Sequence, residues 1–247
     1  MISFEKEQIF IVTGASSGIG ETVSILLNEL GASVVAIARN EKRLGEMKSK
    51  CKYPENVYLE IKDLAEDIEN LPNYIKSLKE KYGKFSGMAY CAGVASLEPL
   101  KILDYNKAKD TFAINYHAPI SMLKALGDKR VCIGSGTSCV FVSSASALLS
   151  DKGHCVYSGS KAALNASLKC IAKELAISGI RVNSVSPTVI STPMTISAGK
   201  EYIEEQSLKY PMGVGESIDV AKMIIFLLSK DSKWITGQNY VVDCASF

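Results

Sequence analysis

A tyrosine and a lysine four residues apart, Tyr157 and Lys161, are the residues of this chain best suited to chemistry. Residues at this spacing share one face of a helix, and apolar residues that continue the spacing predict a buried face. A lysine ammonium beside a phenol would favour the phenolate and lower the tyrosine pKa from about 10 toward neutrality. Tyr157 would then be a usable general acid or base. The alternative is a surface lysine beside a packed aromatic ring, but Ser143 and Ser144 end a predicted strand that should face the same crevice.

A glycine-rich stretch near the N-terminus has the spacing of a phosphate-binding turn. Gly14 follows the apolar run 9–12, and Gly18 and Gly20 open a segment with helical spacing. Free N–H groups and the positive end of a helix dipole attract phosphate there, and only glycine lets a pyrophosphate approach the main chain closely. A turn without a ligand is the alternative interpretation. The residues expected at this part of a dinucleotide site are Gly14, Ser16, Ser17, Gly18, Ile19 and Gly20.

Arg39, at the end of the second predicted strand, bears on the choice of cofactor. An NAD site usually carries an acidic residue near this point for the ribose hydroxyls, whereas an arginine pairs with the 2′-phosphate of NADP. No acidic residue stands at positions 37–40. We therefore expect NADP as the cofactor, with Arg39 bound to its 2′-phosphate. The alternative is that the cofactor is NAD and that Arg39 is only a solvated surface residue.

The ends of the next two predicted strands supply further candidate contacts. Asp63 could accept a hydrogen bond from the adenine amino group, and it could also cap a helix that begins at Leu64. After the fourth strand, small residues would let the backbone pass under the cofactor ribose, although a plain turn explains them almost equally well. These residues are Cys91, Ala92 and Gly93.

Composition limits the classes of protein to which this chain can belong. It has 247 residues, enough for one large α/β domain, and a net charge of +2 that favours neither a nucleic-acid nor a membrane partner. Without a signal-like or bilayer-length apolar segment, we expect a cytoplasmic protein. Seven cysteines with no C-x-x-C pair, and only two histidines, predict reduced thiols and no metal site.

Apolar runs alternate between strand-like and helix-like spacing along the whole chain. This alternation predicts a single Rossmann-like, doubly wound α/β domain over residues 1–247, with a seven-stranded parallel sheet covered by helices on both faces. The predicted strands are residues 9–12, 33–38, 57–61, 87–91, 139–143, 181–185 and 240–242. The predicted helices are residues 18–30, 41–50, 64–82, 105–126, 157–178 and 218–228.

Residues 189–216 form the one long stretch without a clear strand or helix pattern, apart from a charged, helix-like piece at 200–209. Long irregular segments in compact domains are often lids over a ligand site. We expect this segment to cover the substrate. His154, near the expected entrance, is a candidate substrate ligand, but these residues do not identify the substrate.

Taken together, the motifs resemble those of the classical short-chain dehydrogenase/reductase family. The resemblance extends from the first strand to the C-terminus. It rests on the T-G-x-x-x-G-x-G of residues 13–20, Cys-Ala-Gly at 91–93 in place of Asn-Ala-Gly, Asn115, Ser144, and the Y-x-x-x-K of Tyr157 and Lys161. The distance from Ser144 to Tyr157 selects Ser144 rather than Ser143. The glycine spacing also separates the chain from the extended branch of this family.

The resemblance implies a mechanism in which a hydride passes between NADP(H) and a carbonyl or secondary alcohol. Tyr157 would transfer the proton, Ser144 would hold the substrate oxygen, and Lys161 would lower the tyrosine pKa and hold the nicotinamide ribose. Asn115 would anchor a water molecule that connects Lys161 to solvent. Since asparagine is a poor helix former, its place inside a predicted helix suggests a local irregularity.

The resemblance also places residues around the nicotinamide and shows where this chain departs from the family. Contacts are implied for Pro187, Val189, Ile190 and Thr192. Thr188 follows Pro187 where the family has glycine. Cys244 stands at the first glycine of the family's C-terminal Asp-Gly-Gly, and Cys91 stands where the family has asparagine. These departures affect the geometry of the cofactor pocket rather than its existence.

The expected partners are a small carbonyl or alcohol substrate and further copies of the chain. The family resemblance implies a homodimer or homotetramer in which the helices at 105–126 and 157–178 pack against their copies. Two alternatives stay open: an NAD-dependent alcohol dehydrogenase with the same residues, and a nucleotide-binding regulator without turnover. An intact set of Asn115, Ser144, Tyr157 and Lys161 disfavours the regulator.

Overall fold

Seven parallel strands form the central sheet of the protein, whose structure is a computed structural model. It describes residues 2–95, 97–196 and 199–245, without the side chains of Lys200 and Tyr202. The strands are β1 (Ile9–Thr13), β2 (Ser33–Ala38), β3 (Val57–Ile61), β4 (Phe85–Tyr90), β5 (Ser138–Val142), β6 (Arg181–Pro187), β7 (Ile190–Ser191), β8 (Gly215–Glu216) and β9 (Asn239–Val242). All seven predicted strands are confirmed, with ends displaced by at most two residues.

The helices cover both faces of this sheet. They are α1 (Gly18–Glu29), α2 (Glu41–Ser49), α3 (Leu71–Tyr82), α4 (Tyr105–Phe112), α5 (Ala118–Leu126), α6 (Cys155–Ala176), α7 (Pro193–Ile196), α8 (Lys200–Lys209) and α9 (Ser217–Leu228). The predicted doubly wound architecture is therefore confirmed. The helical piece predicted at 200–209 corresponds to α8.

Two predicted helices differ from the structure. The helix predicted from Leu64 begins only at Leu71, after a 3-10 turn at Ile68–Asn70, because Pro72 suits the first turn of a helix and Asp67 is left-handed, with φ 53°. The helix predicted over 105–126 is interrupted by a π-helical turn at Ala113–His117, which separates α4 from α5.

The order of the strands creates the crevice in which a ligand can bind. The order is β3-β2-β1-β4-β5-β6-β9. The chain first adds β2 and β3 on one side of β1 and then adds β4, β5, β6 and β9 on the other side. All neighbours in this sheet are parallel. Every carboxyl end therefore lies at the same edge, and the order reverses between β1 and β4, where open α/β sheets bind ligands.

Side chains that alternate along the strands build one hydrophobic core on each face. Phe10 and Val12 pack on the face covered by α1 and α9, whereas Ile11 packs on the opposite face against α3, α5 and α6. Because both faces are covered, β2, β4, β5 and β6 are buried along their whole length. This arrangement makes the strand ends rigid supports for the crevice.

The segment 189–216, predicted to be a lid, contains a small two-stranded sheet beyond β6. β7 pairs with β8, and α7 and α8 lie between these two strands in the chain. Residues 197 and 198 of this segment lie outside the described residues. At the C-terminus, Cys244 and Ala245 both have a φ of 55°, in the left-handed region that favours glycine.

Replacing Ala245 by glycine is expected to stabilise the protein. A left-handed conformation costs a residue with a Cβ about 1–2 kcal/mol, and the greater chain entropy of glycine offsets about half of the gain. We expect the free energy of unfolding to rise by up to about 1 kcal/mol in urea unfolding. Ala166→Gly, at an exposed position inside α6, should lower it by a similar amount. A loss of stability in both variants would contradict the assignment of strain to Ala245.

Candidate active site

A cleft of about 1470 Å³ opens at the carboxyl ends of the central strands. It brings together every residue predicted for the site except Asn115. The predicted residues that line it are Gly14, Ser16, Ser17, Gly18, Ile19, Gly20, Arg39, Asp63, Leu64, Cys91, Ala92, Gly93, Ser144, Tyr157, Lys161, Pro187, Val189, Ile190 and Thr192. Residues far apart in the sequence thus share one cleft.

The glycine-rich turn between β1 and α1 leaves no room for side chains. Gly14 is left-handed, with φ 65°, and a Cβ there would lie 3.0 Å from the backbone of Ala92. A Cβ on Gly20 would collide with the carbonyl oxygen of Gly14. The Ser17 side chain does not cap α1, so the helix begins with backbone N–H groups beside the cleft. These features fit a pyrophosphate at the N-terminus of α1.

Thr13 is a structural residue of the site that the sequence analysis did not single out. Its Oγ1 accepts hydrogen bonds from the backbone N–H groups of Cys91, at 3.0 Å, and Ala92, at 3.1 Å. The side chain therefore joins the end of β1 to the turn after β4. Its place directly before the first glycine of the motif was the sequence feature that could have indicated this role.

Asn115 lies in the π-helical turn and is fully buried. Its Oδ1 accepts from the Val94 N–H at 3.0 Å, and its Nδ2 donates to the Val94 carbonyl at 2.9 Å and to Ser160 Oγ at 3.1 Å. The expected local irregularity is therefore present. Although Asn115 does not line the cleft, its Oδ1 lies 3.1 Å from the point where a Cβ on Gly93 would stand.

Tyr157 and Ser144 both line the cleft. Burial raises the pKa of the Tyr157 phenol above its ordinary value, and the neighbouring Ser144 hydroxyl offsets part of this rise. Ser144 Oγ also accepts from the Ser146 N–H at 3.1 Å, at the start of a 3-10 turn. The hydroxyl of Ser144 is thereby held at the end of β5, next to the phenol.

Lys161 is buried behind this pair, and the structure corrects the expected electrostatics. Its Nζ donates to the Val142 carbonyl at 2.8 Å, and burial lowers its pKa to about 8. A lowering of the Tyr157 pKa by Lys161 was expected, but desolvation of the phenol dominates and the pKa is raised. Lys161 Nζ lies 3.4 Å from the point where a Cβ on Gly93 would stand, so Lys161 and Asn115 converge there.

Charged side chains of both signs line the opposite end of the cleft, with Asp63 and Glu66 among three basic residues. Arg39 Nη1 lies 3.3 Å from Asp63 Oδ2, and 72% of the Arg39 side chain is exposed. Asp63 Oδ1 accepts from the Ala65 N–H at 2.9 Å, so it caps a turn and not the helix predicted to begin at Leu64. Arg43 and Lys62 line the same end, and the sequence analysis had not assigned them to the site.

The departures from the family pattern lie at defined places around the cleft. Burial raises the pKa of the Cys91 thiol to about 12, which makes it a neutral wall residue and not a nucleophile. Thr188 lines the cleft, and its N–H donates to the Val242 carbonyl at 3.2 Å. Cys244 Sγ accepts from the Met212 N–H at 3.1 Å, which joins the C-terminal segment to the end of the lid.

The substrate end of the cleft combines polar and apolar side chains. His154 lines it, as the sequence analysis expected for a candidate substrate ligand, together with the lid residue Met194. Helix α8 adds side chains that had no sequence signal, because nothing in their spacing distinguished them from a solvated face. These are Glu205, Gln206, Lys209 and Tyr210.

The family whose description is Enoyl-(Acyl carrier protein) reductase matches residues 14–244, nearly the whole chain. The protein belongs to the classical short-chain dehydrogenase/reductase family. It is 31% identical to an NAD-dependent glycerol dehydrogenase of Listeria innocua, over 96% of this chain and 92% of the relative. It is also 31% identical to an L-xylulose reductase of Caenorhabditis elegans, over 94% of this chain and 93% of the relative.

Solved structures agree with the architecture of this short-chain dehydrogenase/reductase. A short-chain dehydrogenase/reductase from Mycobacterium ulcerans superposes with a TM-score of 0.89 and 28% identity, over 99% of this chain and 91% of the other. The protein is therefore an oxidoreductase that acts on CH–OH groups or the corresponding carbonyls with a nicotinamide cofactor. None of the helices in the described part of the chain combines the length and hydropathy needed to cross a bilayer.

Burial of Lys161 predicts a pH-dependent stability. Because its pKa falls from 10.5 to about 8 on folding, the unfolded chain binds more protons between these values, and the free energy of unfolding should rise with pH there. We expect the difference in unfolding free energy between the wild type and Lys161→Met to increase by about 1 kcal/mol per pH unit above about pH 8. The measurement is urea unfolding without nucleotide at several pH values.

Lys173→Met, at an exposed position on the same helix, provides the control for the loss of a lysine. A difference between the wild type and Lys161→Met that stays constant with pH would show that Lys161 is solvated in the folded protein.

Proposed function

We propose that this protein transfers a hydride between NADP(H) and a carbonyl or secondary alcohol, with Tyr157 as the general acid or base. The observation that carries the proposal is the position of Tyr157 and Ser144 in the wall of one cleft, beside buried Lys161. A nicotinamide cofactor would supply or accept the hydride. The side chains of the protein would bind and orient the substrate and would exchange a proton with it.

Tyr157 and Ser144 would both contact the substrate oxygen. In the reductive direction the phenol donates its proton to this oxygen, and a raised pKa keeps the phenol protonated for that purpose. Ser144, held by the Ser146 N–H, supplies a second hydrogen bond at the same oxygen. In the oxidative direction Tyr157 would first lose its proton to the neutral amine of Lys161, and the phenolate would then accept the proton of the alcohol.

Lys161 and Asn115 would support Tyr157 from behind. Both converge on Gly93, where the absence of a Cβ allows a ribose to approach. Lys161 would hold the ribose hydroxyls and return a proton to Tyr157. Asn115 keeps one lone pair of Oδ1 beyond its bond to the Val94 N–H, which is compatible with a bound water molecule.

The charged end of the cleft supports NADP as the cofactor. Arg39, Arg43 and Lys62 all line it, and a 2′-phosphate would gain charge-assisted hydrogen bonds from such a cluster. NAD is the second candidate, because Arg39 is paired with Asp63 and the Listeria innocua relative is named as NAD-dependent. With NAD, Asp63 and not Arg39 would be the residue nearest the adenosine.

Two relatives point to a small hydroxylated substrate. They are named for glycerol and L-xylulose, which carry a hydroxyl on most of their carbons. The substrate end of this cleft has both polar and apolar side chains, and His154 and Gln206 are among the polar ones. We propose a small polyol or the corresponding hydroxyketone as substrate, with the segment 189–216 as its lid.

Members of this family commonly form oligomers, and we propose a homodimer or homotetramer for this chain. α6 exposes Cys155, Gly159 and Ala166 along one side, and such small residues permit close approach of a second helix.

Removal of the Tyr157 hydroxyl should abolish most of the activity and leave cofactor binding intact. Proton transfer by a positioned acid contributes about 10²–10⁴-fold to rate, so Tyr157→Phe should lose at least about 100-fold in kcat. The measurement is steady-state turnover, together with titration of nicotinamide fluorescence. Tyr53→Phe, outside the cleft, should match the wild type. Near-normal turnover of Tyr157→Phe would remove this residue from the mechanism. Tight cofactor binding by the wild type without turnover of any carbonyl would instead favour a nucleotide-binding regulator.

Loss of the Arg39 side chain should reduce the preference for NADPH. A charge-assisted hydrogen bond contributes about 1.5–3 kcal/mol, so Arg39→Ala should weaken NADPH binding by about 10–100-fold and change NADH binding little. Arg43→Ala and Lys62→Ala should act in the same direction, whereas Lys42→Ala, outside the cleft, should not. Equal affinities of the wild type for the two nucleotides, unchanged in Arg39→Ala, would establish the NAD alternative.

A further inference from the structure

His154 is a histidine of the cleft whose hydrogen-bonding capacity the described chain leaves unused. It immediately precedes α6, and its ring centroid lies 6.4 Å from that of Tyr157, at an interplanar angle of 51°. Its Nδ1 is buried without a hydrogen-bond partner within the described residues. A buried polar atom without a partner costs free energy, so such an atom in a native fold calls for an explanation.

The chain therefore does not determine which ring nitrogen carries the proton. A neutral imidazole has one donor and one acceptor, and neither is hydrogen-bonded to a described residue. Because Nδ1 is buried, Nε2 is the nitrogen that can meet a ligand in the cleft, and a hydroxyl group fits it in either tautomer, since its oxygen both donates and accepts. A ketone oxygen only accepts, and an alkyl group does neither.

The charges around His154 argue for a neutral ligand. Asp151 lines the same wall, and Glu205 lines the cleft from α8. Lys209 Nζ lies 2.9 Å from Glu205 Oε1, so these two charges compensate each other. An anionic substrate would still meet Asp151, whereas a hydroxylated neutral substrate could donate a hydrogen bond to it.

We propose that His154 binds a hydroxyl group on a carbon next to the reacting carbon, and thereby selects hydroxylated ketones and polyols over unsubstituted ones. This inference rests on the proposed function, because the reacting oxygen is taken to lie between Tyr157 and Ser144. His154 is one helical turn before Tyr157, so a short carbon chain held at the phenol extends along the imidazole. His154 acts on specificity and takes no part in proton transfer to the carbonyl.

The experiment compares three ketones of the same length, acetone, hydroxyacetone and dihydroxyacetone, which differ only in their hydroxyl groups. For each, kcat/KM is measured with the wild type, His154→Phe and His154→Gln. The phenyl ring keeps the planar shape without a hydrogen-bonding group, and the amide restores a donor and an acceptor. Cofactor affinity is measured by nicotinamide fluorescence in all three proteins and should be unchanged, which establishes that the cleft is folded.

We expect His154→Phe to lower kcat/KM by about tenfold for hydroxyacetone and dihydroxyacetone and to leave kcat/KM for acetone within about twofold. The reason is that a site that bonds a substrate hydroxyl loses its preference for that hydroxyl when the bonding side chain is removed. His154→Gln should recover a large part of the loss. An equal loss on all three ketones would overturn the role of His154 and leave the proposed function in place. No loss on any of them would overturn it as well. If the wild type reduces none of the ketones, the proposed function fails and this inference fails with it.

Discussion

The close approach of the backbone at the carboxyl ends of β1 and β4 is the constraint on which the site depends. Gly14 lies against the backbone of Ala92, and Gly20 lies against Gly14, with no space for a Cβ at either glycine. Thr13 holds the same point through two hydrogen bonds to the turn after β4. Because this contact fixes the glycine-rich turn relative to Gly93, it also fixes the span between the proposed phosphate and ribose positions. A side chain in this contact would separate the two strand ends.

A second set of contacts supports the chemistry from the other side of the cleft. Lys161 Nζ is bound to the Val142 carbonyl, and the Ser143 hydroxyl donates to the Lys161 carbonyl at 3.4 Å. The end of β5 is therefore tied to the first turns of α6, which carry Tyr157. Burying an ammonium group in this way disfavours its charged form, and the lowered pKa of Lys161 expresses that cost. The same burial makes Lys161 a group that can exchange a proton near neutral pH.

The rim of the cleft is where this chain differs from its family. Thr188 is bonded to the Val242 carbonyl, and Cys244 is bonded to the Met212 N–H. The end of β6, the C-terminal segment and the end of the lid are thus connected at positions where relatives carry glycine. The left-handed backbone that glycine would adopt is still present at Cys244 and Ala245. The fold therefore keeps the conformation although the residue that favours it is absent.

Local chemistry along the chain was sufficient to predict the fold and the residues at the first strand ends of the cleft, whereas the contacts at 187–192 followed from the family resemblance. Alternating apolar runs and the glycine spacing indicate the parallel sheet and the turn before α1, because burial and left-handed φ angles impose these residues wherever they occur. Tertiary structure decided what depends on neighbours distant in sequence. It gave the irregularity expected at Asn115 the form of a π-helical turn, bonded to Val94 and Ser160, and it paired Arg39 with Asp63. It also raised the pKa of Tyr157, since desolvation acts on a group only when the rest of the fold surrounds it.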